Sequence, residues 1–189
     1  VLHDTQTLRA RLSAQGPLPD VLSSAEGLIP AAVLVGIVTG PAPGVLLTKR
    51  AAGLRNHSGQ VSFPGGRIDP TDSGPEAAAL REAQEEVGLD PSHAEILGCM
   101  NDLVTVTGFR ITPVLAVLTP GFAVSPSPQE VDAVFQLPLS VLLDPLAPAQ
   151  RSALHEGVRR HYWVWPHPEH EIWGATAAIL VHLAALLRG

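Results

Sequence analysis

The segment PEAAALREAQEEV, residues 75 to 87, constrains the fold more than any other stretch of the chain. At about 100° per residue, with Glu82 set at zero, Ala79, Leu80, Ala83 and Val87 fall between about +60° and +160°. Glu82, Glu85 and Glu86 occupy an adjoining arc of roughly 100°. A helix with a single apolar stripe needs another layer to cover it, and the flanking sequence supplies strands for that layer. Pro75 suits the first helical turn, and Asp72 or Ser73 is the expected cap.

Upstream, AAVLVGIVTG (31 to 40) and GVLLTKR (44 to 50) are β-branched-rich runs, and the intervening PAPG suits a hairpin turn. A glycine-containing loop follows from Gly53 to Gly66, interrupted by the apolar run Val61 to Phe63. Downstream, AEILGCM, RITPVLAVLT and EVDAVFQLPL read as strands, LSVLLDP as a short helix and RRHYWVWP as a strand. DTQTLRARLSAQ reads as an N-terminal helix with Asp4 as its cap, and a closing helix begins near Trp173 or Gly174. Strands mixed with two substantial helices, one central and one terminal, indicate a single-domain α/β sandwich over residues 1–189.

Composition narrows the function. The formal charge is −6, from 18 acidic and 12 basic residues, which argues against sequence-independent nucleic-acid binding while leaving room for a small anionic substrate. Cys99 is the only cysteine, so no intrachain disulfide can form and a cytoplasmic location is expected. The start of the chain shows no basic segment followed by an apolar one, so no signal peptide is expected; Val1 in place of Met is as expected if a few residues precede this numbering. GATAAILVHLAALL is too short to span a bilayer and contains His182, so a helix buried against a sheet is expected rather than a membrane contact.

Glutamates on an arbitrary amphipathic helix are more often a solvated face than a site. Two features argue otherwise here. FPGGR, just upstream, is a bare backbone loop that a phosphate or metal could approach closely, and Asp69 and Asp72 add carboxylates near the helix start. An all-oxygen set suits Mg²⁺ or Mn²⁺, and nothing in it resembles a zinc site. Arg81, four residues before Glu85, is placed to pair with it and fix its rotamer.

On these residues the chain resembles the Nudix hydrolases, whose box reads G-x5-E-x7-R-E-U-x-E-E-x-G-U, with U apolar. Gly66, Arg81, Glu82, Ala83, Glu85, Glu86, Gly88 and Leu89 match over residues 66 to 89. The departure is the first glutamate: five residues on from Gly66 stands Asp72, and eight rather than seven residues separate it from Arg81. The resemblance implies an α/β/α sandwich with a mixed sheet and hydrolysis of a nucleoside diphosphate linked to another moiety. It implies that Glu82, Glu85 and Glu86 hold divalent ions, with Glu82 and Glu86 leading, and that Arg81 orients Glu85.

Residues 46 to 66, LLTKRAAGLRNHSGQVSFPGG, are similar to a second motif, L-L-T-x-R-(S/A)-x3-R-x3-G-x3-F-P-G-G, of the coenzyme A pyrophosphatase branch. Leu46, Leu47, Thr48, Arg50, Ala51, Arg55, Gly59, Phe63, Pro64, Gly65 and Gly66 fit it. Coenzyme A carries a 5′-pyrophosphate and a 3′-phosphate, and Arg50, Arg55, His57 and Arg67 supply donors suited to them, with surface ion pairs as the alternative for each arginine and an ordinary loop residue for His57. Gly65 and Gly66, next to the box, are expected to belong with the substrate, with simple turn residues as the alternative.

Glu130 is a candidate general base or extra metal ligand, with an exposed loop acid as the alternative. Tyr162, Trp163 and Trp165 fit strand packing better than stacking on adenine, and HPEH (167 to 170) fits a loop better than a metal site. The expected reaction cleaves coenzyme A to 3′,5′-ADP and 4′-phosphopantetheine. The alternatives are a broader pyrophosphatase acting on ADP-ribose, NADH or nucleoside triphosphates, and a nucleotide-binding module without turnover.

Overall fold

The computed structural model describes residues 5–15, 27–52, 59–155 and 158–189. Asp4, Arg55 and His57, expected as a cap and as substrate contacts, lie outside the described residues. The elements run α1 (Thr5–Ser13), β1 (Ile29–Val38), β2 (Gly44–Arg50), β3 (Val61–Ser62), β4 (Gly65–Arg67), α2 (Pro75–Val87), β5 (Ala94–Cys99), β6 (Leu103–Val104) and β7 (Phe109–Leu118). They continue as β8 (Val131–Pro138), α3 (Leu139–Leu142), β9 (Ala149–His155), β10 (Val158–Trp165), β11 (Ile172–Trp173) and α4 (Gly174–Arg188).

β1 is buried on both faces, which is why it reads as a continuous apolar run. It pairs in parallel with β7 along its whole length, from Ile29↔Phe109 to Val38↔Leu118. The other pairings of this sheet are antiparallel, so the sheet is mixed, in the order β3-β2-β1-β7-β5 with β4, β6 and β8 alongside. Side chains alternate across it. Ala32, Leu34, Leu46, Val114 and Ala116 meet Ala78, Ala79, Ala83 and Val87 of α2 on one face. Val35, Ile37, Val45, Leu47 and Leu115 meet α1 and α4 on the other. The architecture is the expected α/β/α sandwich.

The hairpin expected at PAPG forms, but only at its tip, with the register Ile37↔Val45 and Val38↔Gly44. β1 and β2 then part, and β4 takes the vacated edge of β1 as Ala31↔Arg67, Ala32↔Gly66 and Val33↔Gly65. The Leu34 N–H donates to Pro64 O at 2.8 Å to close the junction. The Gly65-Gly66 pair is thereby fixed in the sheet, beneath α2, rather than carried on a free loop.

The expected bounds of α2 hold, but its start differs from the expectation. Gly74, which has no side chain to cap with, is the N-cap in place of the expected Asp72 or Ser73, and the Asp72 carboxylate instead accepts from the Asp69 N–H and Arg81. The far end stops at Gly88, whose φ of 71° is left-handed, and the N–H groups of Gly88 and Leu89 return to Gln84 O and Ala83 O. Ser125 and Ser127 donate their backbone N–H groups to Val87 O and Glu86 O, each at 2.9 Å, so the segment after β7 is clasped to the end of α2.

α1 is fastened by Leu8 and Leu12 and by Arg11, which donates to Leu186 O at 2.8 Å and Leu187 O at 3.1 Å at the end of α4. A smaller sheet, β11-β10-β9, lies beside α4. In it Trp165 is buried, donating from its indole N–H to Ala177 O at 3.1 Å, and Trp163 packs against the same core. Among the described residues, no helix is long and apolar enough to cross a membrane.

Candidate active site

Exposure grades the three helix glutamates in the order of their angle from the apolar stripe. The side chains of Glu86, Glu82 and Glu85 are 5%, 18% and 57% exposed. Glu86 is the acid turned furthest under the sheet edge. Its Oε2 accepts the Gly65 N–H at 3.1 Å, and its Oε1 faces Arg50 Nη1 at 3.6 Å. Burial pushes its pKa up to about 7, against the pull of the Gly65 N–H and Arg50, while Glu82 and Glu130 push the same way as burial. Glu82 is also raised, chiefly by burial, with Arg81 opposing and Glu85 and Glu130 adding to the shift.

Arg81 is the hub. Its Nε and Nη2 donate to the two oxygens of Asp72 at 3.1 and 3.0 Å, a bidentate pair. Nη1 donates to Glu82 Oε1 at 2.9 Å and to Glu85 Oε2 at 3.2 Å, and Nη2 also reaches Arg67 O at 3.2 Å. Asp72 Oδ2 further accepts the Asp69 N–H at 2.8 Å. Arg81 beside it, then the Asp69 N–H, hold Asp72 below the usual carboxylate range. Asp72, left outside the expected site, is thus the main partner of Arg81. The loop is one residue longer than the box pattern and the carboxylate one methylene shorter, so the contact survives the departure. The pairing expected with Glu85 is present but is one strand of a larger network.

The remaining expected residues divide. Arg50 joins the site through Glu86. Arg67 is exposed and carries its guanidinium 5.8 Å from the centroid of Phe109, while its backbone carbonyl accepts from Arg81 Nη2. Glu130 stands on an exposed turn, where its N–H donates to Ser127 O and its carbonyl accepts the Ala51 N–H. It is close enough to raise both Glu82 and Glu86. Tyr162 meets Trp173 edge-on at 6.1 Å. HPEH is a turn: His167 Nδ1 accepts the N–H groups of Glu169 and His170, and the two imidazoles stack at 4.8 Å.

Among the described residues, no three Asp, Glu, His or Cys side chains already stand at ion-binding spacing. The donor chemistry nonetheless fits a hard divalent cation: Glu82 and Glu86 lie one helical turn apart, both are desolvated, and Glu82 adds to the upward shift of Glu86, with carboxylate oxygens as the donors. Of the two glycines beneath them, Gly66 keeps the space beside Glu82 open, and Gly65 lets β4 lie close to β1. A Cβ on Gly66 would sit 2.5 Å from the Glu82 carboxyl, and one on Gly65 would strike Ala32 O and, at 2.6 Å, Val33 Cα. Gly65→Ala is therefore expected to lower unfolding free energy by about 2–3 kcal/mol in urea titrations, since backbone blocks it. Gly66→Ala, which meets the movable end of a side chain, is expected to spare stability and reduce turnover by at least tenfold, roughly. Equal stability losses in the two variants would refute this division.

Residues 28–161 match the NUDIX domain, and the chain belongs to the Nudix family. It is a Nudix hydrolase, a family that uses divalent metal ions and acts on small nucleotide substrates. The chain is 45% identical over 155 residues to the "Uncharacterized Nudix hydrolase NudL" of Cronobacter sakazakii, covering 82% of this chain and 80% of that one. Its counterpart of the same name in Escherichia coli O7:K1 is 43% identical over 154 residues, with the same coverage of 82% and 80%. The fold is shared with the Nudix hydrolase RenU of M. smegmatis (TM-score 0.58, 22% identity, 87% of this chain and 88% of that chain). It is shared also with the NUDIX domain of Shewanella oneidensis NrtR, solved with ADP ribose (TM-score 0.53, 18% identity, 95% of each chain).

Proposed function

We propose that residues 1–189 act as one domain that hydrolyses the pyrophosphate of coenzyme A and its derivatives with Mg²⁺ or Mn²⁺, giving 3′,5′-ADP and 4′-phosphopantetheine. The observation that carries this reading is the 3.6 Å contact of Arg50 with Glu86. Through it the upstream motif of residues 46–66 and the box of residues 66–89 meet at one carboxylate instead of forming separate features.

Glu82 and Glu86 are the residues that would hold the ion, with Glu85 on the exposed side as a further ligand. When bound, such an ion neutralises pyrophosphate oxygens and lowers the pKa of a water. Arg81 holds Glu82 and Glu85 in place from Asp72. Gly65 and Gly66 leave the backbone bare where phosphate approaches, and Arg50 and Arg67 supply planar donors to it. Glu130, exposed beside both buried acids, accepts the proton of the attacking water. The water oxygen bonds to one phosphorus, the bond from that phosphorus to the bridging oxygen breaks, and the departing phosphate keeps the bridging oxygen.

Incubation with coenzyme A and Mg²⁺ or Mn²⁺, followed by mass spectrometry, tests the substrate. Both products are expected, with the acyl group retained on phosphopantetheine when an acyl derivative is supplied. Neither product from coenzyme A, with ADP-ribose, NADH or nucleoside triphosphates hydrolysed freely, would sink the substrate assignment and make the chain a broader pyrophosphatase.

A further inference from the structure

The two arginines of the site are held in opposite ways. Every nitrogen of the Arg81 guanidinium has an acceptor at hydrogen-bond distance. Arg50 has one side-chain partner among the described residues, Glu86 Oε1 at 3.6 Å, which lies beyond the usual hydrogen-bond range of about 2.7–3.2 Å. The Arg50 main chain, by contrast, is fixed: its N–H donates to Gln60 O at 2.9 Å, and its carbonyl accepts the Gly59 N–H at 3.1 Å. The ladder with β8 shifts register at this point, between Lys49 and Arg50, so the side chain leaves from the end of regular pairing. Its 28% exposure gives it an open side.

Glu86 is held differently again. Oε2 is committed to a backbone N–H that the β1–β4 pairing keeps in place. Oε1 is the oxygen left for a cation, and the cation it faces is Arg50.

We propose that Arg50 is an exchangeable counter-ion, competing with the divalent cation for Oε1 of Glu86 and, once displaced from it, turning to the phosphates of the substrate. Two cations cannot share one buried oxygen without strong repulsion, and the loosely held one yields. The displaced guanidinium offers the planar donor pair that suits phosphate. Ion entry and substrate capture are thereby linked: the ion frees the group that binds the substrate. The proposal rests on the placement of the ion at Glu86 in the reading above, and not on which pyrophosphate is cleaved.

Mn²⁺ titration without substrate, followed by the electron paramagnetic resonance of free Mn²⁺, tests the competition. Arg50→Gln is expected to bind Mn²⁺ about three- to tenfold more tightly than the parent, the range for loss of a partly exposed ion pair. Arg50→Lys, which keeps the charge, is expected to bind Mn²⁺ as the parent does. At saturating Mn²⁺, both variants are expected to raise KM about tenfold with kcat within about threefold, since neither has the planar fork. In the unsubstituted protein, phenylglyoxal is expected to modify Arg50 at least threefold faster with Mn²⁺ than with chelator, read by peptide mass mapping. Unchanged or weaker Mn²⁺ binding by a folded Arg50→Gln protein would overturn the proposal. So would equal Arg50 labelling with and without Mn²⁺, a result that needs no variant to fold. Neither the Mn²⁺ titration nor the labelling contains coenzyme A, so a failure of the substrate assignment would be seen separately, in the KM measurement.

Discussion

Glu86→Gln is expected to lower kcat by about 10³-fold or more while making the protein more resistant to heat at pH 8 in chelator. The two effects share a cause. Burial holds a proton on Glu86 up to about 7 in the folded chain, against 4.5 for an unperturbed glutamate. Proton-linked stability is therefore complete below about 4.5 and is lost as pH rises through about 7. Above that range the folded protein carries a buried negative charge, costing about 3 kcal/mol. A carboxamide has no such charge at any pH and can still accept the Gly65 N–H through its oxygen. The variant should melt several degrees above the parent at pH 8 and close to it at pH 5. The rise in melting temperature that Mn²⁺ gives the parent should largely disappear, because the ion would lose a principal ligand. Near-normal turnover, or a melting temperature below the parent's at pH 8, would contradict the role given to Glu86.

The parts of the fold legible in the sequence are those where burial is one-sided or total. α2 occupies the expected Pro75–Val87 because four apolar positions fall on one stripe and Gly88 ends it. β1 and β7 were legible as runs because both faces of each are packed. β9 was not: AQRSALH has no apolar alternation, its described side chains are exposed, and it is a strand only because β10 offers a pairing edge from Val164↔Ala149 to Val158↔His155. Nor was the parting of β1 and β2, since both runs read as full strands and the wedge between them, Gly65–Arg67, has no strand propensity of its own. That wedge places the glycines under the glutamates, so the site depends on the least legible pairing in the sheet.

Within the site, residue types were legible and their pairings only partly so. Helical geometry put Glu82 and Glu86 on one arc, but not that the arc's edge turns inward at Glu86. That follows from β4 lying beneath it. Glu130 could be suspected from its acidic character before a strand. Its position follows from Ser125 and Ser127 clasping the end of α2, a backbone contact that leaves no residue signature. Arg50 was assigned to phosphate by its type and its place in the upstream motif, and its contact with Glu86 crosses between motifs that the sequence presents in series.

Asp72→Asn is expected to cost as much as Arg81→Lys, and this pair separates two accounts of the arginine. If Arg81 served chiefly to orient Glu85, the i,i+4 partner, Asp72 could be neutralised without consequence. The geometry says otherwise: Asp72 takes two hydrogen bonds from Arg81 and Glu85 takes one, and the Asp72 side chain is 6% exposed where that of Glu85 is 57%. An exposed i,i+4 pair contributes a few tenths of a kcal/mol, so it cannot be the anchor. The anchor is the bidentate pair, and Glu82 is positioned from it through Nη1. Lysine has one ammonium and cannot reproduce that fork. Asparagine keeps one acceptor but loses the charge, leaving Arg81 free to swing onto Glu82 or Glu85. Each variant is therefore expected to lose about 10²-fold in kcat, with little change in KM because neither residue touches substrate, and about 5 °C or more in melting temperature. The double variant should lose scarcely more than either alone, since both substitutions break the same contact. Glu85→Gln should leave the melting temperature within about 1 °C of the parent. An Asp72→Asn protein with the activity and melting temperature of the parent would show that the extra loop residue had made this carboxylate dispensable, and that Glu85 or Arg67 O holds the arginine instead.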